Sequence, residues 1–330
     1  MYKRQARTDA NGVGARRQPD LEMRRRAKKI GLVLLELFAV LTAAAIAYNL
    51  ATAARVKPAS ALYAGPFVSV DGKRVAFRRW GAHGTPVVLL GGFIVPSSVW
   101  ERVAQRLARR HRVLAIDLPP FGYTERKGPY TLESWTHLVR SFDRRLGLRR
   151  PVLVGHSLGA AVVVADALRY PADSRGIVLL DGDALSAGGA PSWVSRVLVG
   201  PWFTSAYRIV TGSDWIFRRG LAGAYPNHPP FTHQFLEEWK RPFEVQGTLD
   251  AFRSMLPYGI QGFHLARLRT VRVPALVLWG ARDSVDSVSA GRKSARALRA
   301  QFRLLPGAGH LSMLSDPGAI ARAIDSFSRQ

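Results

Sequence analysis

The sequence of 330 residues contains no cysteine. That absence excludes a disulfide framework, a thiolate metal site and a cysteine nucleophile. It leaves the compartment open, because exported proteins also do without disulfides. Acidic residues are scarce, 23 Asp and Glu against 48 Lys and Arg, for a formal net charge of +25. A field of that sign attracts anionic lipid, cell-wall polymer and nucleic acid. Specific nucleic-acid binding is disfavoured, since the chain lacks zinc-finger spacing and, outside its first 29 residues, any basic run of five or more. There is no internal repeat and no low-complexity tract. What is plentiful is apolar residues, at 47% enough for a buried core.

Residues 1–29 read as a polar, basic tail that ends in Arg24, Arg25, Arg26, Lys28 and Lys29. An apolar stretch, residues 30–54, follows at once. As a helix rising 1.5 Å per residue it is long enough to cross a hydrocarbon core about 30 Å thick. Glu36 lies near its basic end; Tyr48 and Asn49 suit the far interface. Positive charge on the N-terminal side alone predicts a cytoplasmic tail and an extracytoplasmic body. The rival is a signal peptide cleaved near Ala45-Ile46-Ala47, which would release the protein. The length of the stretch and of its charged leader favours an uncleaved anchor.

Residues 55–65 read as a linker. Beyond it, Phe67–Val70 and Arg74–Arg79 flank Asp71-Gly72, a hairpin turn signal. Apolar runs then alternate with helical patterns: strands at Val87–Leu90, Val113–Asp117, Val152–Val154 and Ile177–Leu180, with helices between them. The alternation stops at Asp183 and resumes at Ala275–Leu278 and Phe302–Leu305. This predicts an α/β fold: a mostly parallel sheet covered on both faces, with a core of residues 66–182 and 269–330. The intervening residues 183–268 predict a helical cap inserted after the sixth strand. Its aromatics Trp193, Trp202, Phe203, Trp215, Phe235 and Trp239 are candidates to line an apolar substrate pocket, or else form the cap's own core.

The sharpest local signal is Gly155-His156-Ser157-Leu158-Gly159, after a strand and at the start of a helix. In that context a serine sits on a tight, strained turn with its hydroxyl above the sheet edge. Ser157 is the candidate nucleophile. His310, in a loop after the last strand, is the candidate base; His156, inside the turn, is expected to point away from the hydroxyl. Asp283, just after the strand Ala275–Leu278, is the candidate carboxylate that orients the base, with Asp181, Asp183 and Asp286 as rivals. An oxyanion hole would take the backbone N–H groups of Leu158 and Phe93, the glycine pair Gly91-Gly92 letting that loop turn toward the site.

These motifs, with Asp117-Leu118-Pro119-Pro120-Phe121-Gly122, Gly280-Ala281-Arg282-Asp283 and Gly309-His310, resemble those of the α/β-hydrolase superfamily, in its capped, esterase- and epoxide-hydrolase-like branch, over about residues 65–330. Gly91 stands where that family often has His, and Ser157 where epoxide-opening and halide-removing relatives have Asp. The resemblance implies hydrolysis of an ester or related acyl bond in a small, apolar substrate through an acyl-enzyme, without metal or organic cofactor. It also implies alternatives on the same framework: lactonase, C–C bond hydrolase, haloperoxidase and peptidase. A non-catalytic, membrane-anchored binding protein is the alternative from outside enzymology.

Overall fold

The computed structural model describes residues 17–186, 200–259 and 261–330. Eight strands form one sheet: β1 Phe67–Val70, β2 Lys73–Trp80, β3 Thr85–Leu90, β4 His111–Ile116, β5 Val152–His156, β6 Gly176–Leu180, β7 Ala275–Gly280 and β8 Gln301–Leu305. Their order is β1-β2-β4-β3-β5-β6-β7-β8. β1 and β2 run antiparallel, and every pairing from β4 to β8 is parallel. Val, Leu and Ile fill β3 to β6 and are buried, as strands covered on both faces require. The longer helices are α1 Arg17–Thr52, α2 Glu101–Leu107, α3 Leu132–Arg145, α4 Leu158–Arg169, α5 Pro201–Gly212, α6 Asp214–Ala224, α7 His233–Lys240, α8 Thr248–Met255, α9 Val288–Leu298 and α10 Pro317–Ser328.

Parallel pairing places the C-terminal ends of β3, β5, β7 and β8 along one sheet edge. Leu90 pairs with Gly155, and Gly280 with Leu305. The loops leaving that edge carry Gly91–Phe93, Ser157, Asp283 and His310. Helices α5 to α8 leave from the same edge, between β6 and β7. The two ends of this insertion are pinched together where Leu185 bridges Phe263 and the Phe263 N–H donates to the Ala184 carbonyl.

Helix α1 is long and apolar enough to cross a membrane. Its side chains from Met23 to Leu41 are exposed, whereas Ala45 and Thr52 are buried against the cap. Residues 55–65, expected as a linker, run along the body. Lys57 pairs with the cap through Glu244 and Gln246, and the Tyr63 hydroxyl donates to the Phe77 carbonyl at 2.6 Å.

Candidate active site

Ser157 sits between β5 and α4 at φ 51°, ψ −118°, a conformation that costs a non-glycine residue about 1–3 kcal/mol. The strained turn is possible because no side chain crowds it: a Cβ on Gly155 would lie 2.1 Å from the Gly159 carbonyl oxygen. The Ser157 N–H is held by the Leu180 carbonyl at 3.0 Å. Its hydroxyl is therefore lifted above the sheet, and Leu158 opens the helix behind it with an N–H left free of intrahelical pairing.

His310 comes to that hydroxyl from the loop after β8. Its Nε2 is 3.1 Å from Ser157 Oγ, and its Nδ1 is 2.9 Å from Asp283 Oδ2. The Asp283 carboxylate is buried and itself held in place: Oδ1 accepts from the N–H groups of Val285 at 2.9 Å and Asp286 at 3.0 Å. The structure thus brings Ser157, His310 and Asp283 into one line. Asp181, one of the rivals, turns instead to support the base loop. It accepts from the Gly280 and Ser312 N–H groups and from the Ser312 hydroxyl. Burial pushes its carboxyl up to about 7. Asp183 accepts from the Leu185 N–H at the root of the cap.

Burial of the His310 ring opposes its protonation. The Asp283 hydrogen bond and the charges of Asp283, Asp181 and Asp286 outweigh that, so its pKa lies above that of a free imidazole. His156 behaves oppositely. It is fully buried, and burial with the nearby His310 pushes it down to about 3, so it stays neutral. Its Nε2–H donates to the His310 backbone carbonyl at 2.8 Å, and the two rings lie 4.9 Å apart. Sequence spacing placed His156 away from the hydroxyl but gave no sign of this brace between residues 154 positions apart.

The loop after β3 passes directly over the serine. A Cβ on Gly92 would come within 2.7 Å of Ser157 Cβ. The glycines serve here by being small. The left-handed backbone of this loop falls instead on Ile94, at φ 56°, a strained position for a β-branched residue. The loop is braced from β4: Asp117 accepts from the N–H groups of Ser97 at 2.8 Å and Tyr123 at 2.9 Å. Leu158 follows Ser157 in the chain, and Phe93 follows Gly92, the residue that lies over Ser157.

A family model described as the alpha/beta hydrolase family matches residues 87–323. The chain belongs to the alpha/beta hydrolase family. Among curated proteins it is 23% identical over 263 residues to the uncharacterized hydrolase YugF of Bacillus subtilis, covering 78% of this chain and 96% of the relative. Among solved structures, a membrane phospholipase A described as a bacterial virulence factor matches at TM-score 0.66 and 24% identity, over 92% of this chain and 99% of that one. A meta-cleavage product hydrolase from Pseudomonas fluorescens IP01 matches at TM-score 0.68 and 20% identity, over 80% of this chain and 97% of that one. At such identities the structural likeness shows the fold.

The cap aromatics of this hydrolase that the sequence suggested for a pocket are spread over several places. Trp193 lies outside the described residues. Trp202 stacks on Phe38 of α1 at 5.7 Å, and Trp215 is 69% exposed on the outside of the cap. Phe203 lies beneath the Arg253 guanidinium. Phe235 stacks on Phe231 and lies tilted against a buried Trp239, and both pack into a hydrophobic cluster that the cap shares with the body. Phe121 and Phe252 lie 5.2 and 5.8 Å from a half-exposed Phe93, in the loop after β3. Aromatic composition marked the cap but could not tell which faces turn inward.

Among the described residues, one group of Asp214, His233 and Glu237 has the spacing to hold a metal ion. The Lys240 ammonium already fills it, 2.5 Å from Asp214 and 2.6 Å from Glu237.

Proposed function

We propose that this hydrolase is a membrane-anchored serine esterase that acts on an apolar carboxylic ester through a Ser157–His310–Asp283 triad. The observation that carries the reading is the unbroken line of contacts, 3.1 Å from Ser157 Oγ to His310 Nε2 and 2.9 Å from His310 Nδ1 to Asp283. Ser157 Oγ attacks the ester carbonyl carbon while its proton passes to His310 Nε2. Asp283 holds the ring in the tautomer with its proton on Nδ1 and stabilises the imidazolium. The tetrahedral oxyanion is met by the N–H groups of Leu158 and Phe93, each such donor worth roughly 3–4 kcal/mol of barrier. The C–O bond to the alcohol then breaks, and the alcohol leaves with the proton from His310. Water, losing a proton to the same nitrogen, attacks the acyl-enzyme and releases the acid.

An apolar acyl group is favoured because Phe93, in the loop that passes over Ser157, packs against Phe121 and Phe252. Anchoring follows from α1, with the basic residues 24–29 on the cytoplasmic side. Retention of residues 1–54 in the mature, membrane-bound protein tests the anchor against a cleaved leader. The test of the chemistry is a series of p-nitrophenyl esters of graded chain length, with mass spectrometry of the quenched reaction. The proposal expects turnover that rises from short to medium acyl chains and an acyl adduct on Ser157. Turnover of lactones or C–C substrates with none of the esters would replace the ester reading while leaving the triad intact.

A further inference from the structure

The cap helix α5 is docked on α1, within the stretch of α1 that has the length and composition to cross the membrane. Ser205 Oγ donates to the Ala45 carbonyl at 3.2 Å, and Asn49 Nδ2 to the Pro201 carbonyl at 2.8 Å. Arg208 reaches the Asn49 carbonyl and Thr52 Oγ1, and Trp202 stacks on Phe38. Contacts from Phe38 to Thr52 extend over about 21 Å of helix at 1.5 Å per residue. A span that starts after the basic cluster at Lys29 fills a hydrocarbon core about 30 Å thick by around residue 49. Most of the α5 contact therefore falls inside the bilayer, and α5 displaces lipid from that side of α1.

The outward surface of α5 and the turn into α6 suits that place. Trp202, Ile209, Val210 and Trp215 are 39, 53, 46 and 69% exposed, a concentration of large apolar groups seen nowhere else on the described body. Residues 201–213 contain no acidic residue. Beside Trp215 an open groove carries Arg218 and Arg219, cationic groups of the kind that meet lipid headgroups. Unburied aromatics with flanking arginine are the composition of a surface that lies in the interface.

We infer that the cap is immersed in the leaflet next to the catalytic body, so that lipid acyl chains reach Ser157 from within the bilayer. A line of rings links the two places: Tyr207 of α5 to Phe252 at 6.3 Å, and Phe252 to Phe93 at 5.8 Å. The inference rests on α1 being an anchor, as proposed above, and narrows the ester substrates of that proposal to membrane lipids.

The absence of cysteine makes the test direct, since every introduced thiol is unique. Full-length Val40→Cys, Ile209→Cys, Val210→Cys and Val285→Cys variants would each carry a nitroxide label in vesicles of neutral and anionic phospholipid. Accessibility to oxygen against a nickel chelate reports depth, and fluorophosphonate labelling of each variant reports an intact fold and site. The inference expects oxygen to dominate severalfold at Val40, Ile209 and Val210, and the nickel chelate at Val285. Oxygen at Val40 with nickel chelate at Ile209 and Val210 would overturn immersion of the cap and leave the anchor standing. The chelate dominating at Val40 as well would overturn both.

Discussion

Ser157, His310 and Asp283 each owe their position to a neighbour as much as to the strand they follow. His310 is held from three sides: by Asp283 on Nδ1, by the His156 bond to its backbone carbonyl, and by Asp181 through Ser312. Replacing His156 with Phe keeps the ring but removes that bond. We expect kcat to fall roughly 10–100-fold with KM little changed, since small displacements of a catalytic group are costly. Steady-state kinetics on a soluble short-chain ester separates this from simple unfolding. The pH dependence follows from the raised His310 pKa. Below that pKa the ring is protonated and cannot take the Ser157 proton, so activity is lost on the acid side earlier than with an unperturbed imidazole. Removing a nearby negative charge with Asp286→Asn should move the acid limb of kcat/KM to lower pH. An upward shift would show that Asp286 does not act on His310 through its charge. At this scale Ser157, His310 and Asp283 were legible because each follows a strand end in a recognisable local context. His156 and Asp181 were not, since their roles depend on contacts between distant stretches of chain.

Two arginines, Arg126 partly buried and Arg140 buried, tie the elements together. Arg126 gives its donors to Thr248 Oγ1 and to the carbonyls of Phe121, Gly122, Thr124 and Pro242, clamping the cap to the loop after β4. Arg126→Met leaves buried acceptors unpaired and should cost about 1–3 kcal/mol. Hydrogen exchange should quicken in Thr248–Met255 while β5 and β6 stay protected. Arg140 pairs with Asp166, which also accepts from Ser174, joining α3 to α4. Asp166→Ala strands a buried guanidinium and should lower stability by about 3–5 kcal/mol, read from denaturant unfolding. The strands of the sheet were legible from apolar runs such as Val87–Leu90, because burial on both faces demands them. The cap was legible as an interruption only. Which of its aromatics face Ser157 is decided by how α5 to α8 pack, and no periodicity within one helix reports that.

At the scale of the whole molecule, the proposed relation to a membrane surface rests on one apolar helix and a charge of +25, and the proposed chemistry on the sheet edge. With α1 as the anchor proposed above, the cationic body would lie at a bilayer, so the charge argues for anionic lipid rather than nucleic acid. Moderate salt should therefore weaken association of an α1-deleted protein with anionic vesicles, and leave the full-length protein membrane-bound, as flotation would show. The apolar helix itself was legible, from an uninterrupted apolar stretch after a basic cluster. The docking of α5 on α1 was not, since neither helix carries a motif for the other. The central claim is that Ser157 is an activated nucleophile, and covalent labelling by a fluorophosphonate probe tests it most directly, on folded wild type, Ser157→Ala and His310→Ala in membranes. The account predicts labelling of wild type and its loss in both variants. A folded wild type that resists the probe, or a Ser157→Ala variant that still takes it, would contradict the account.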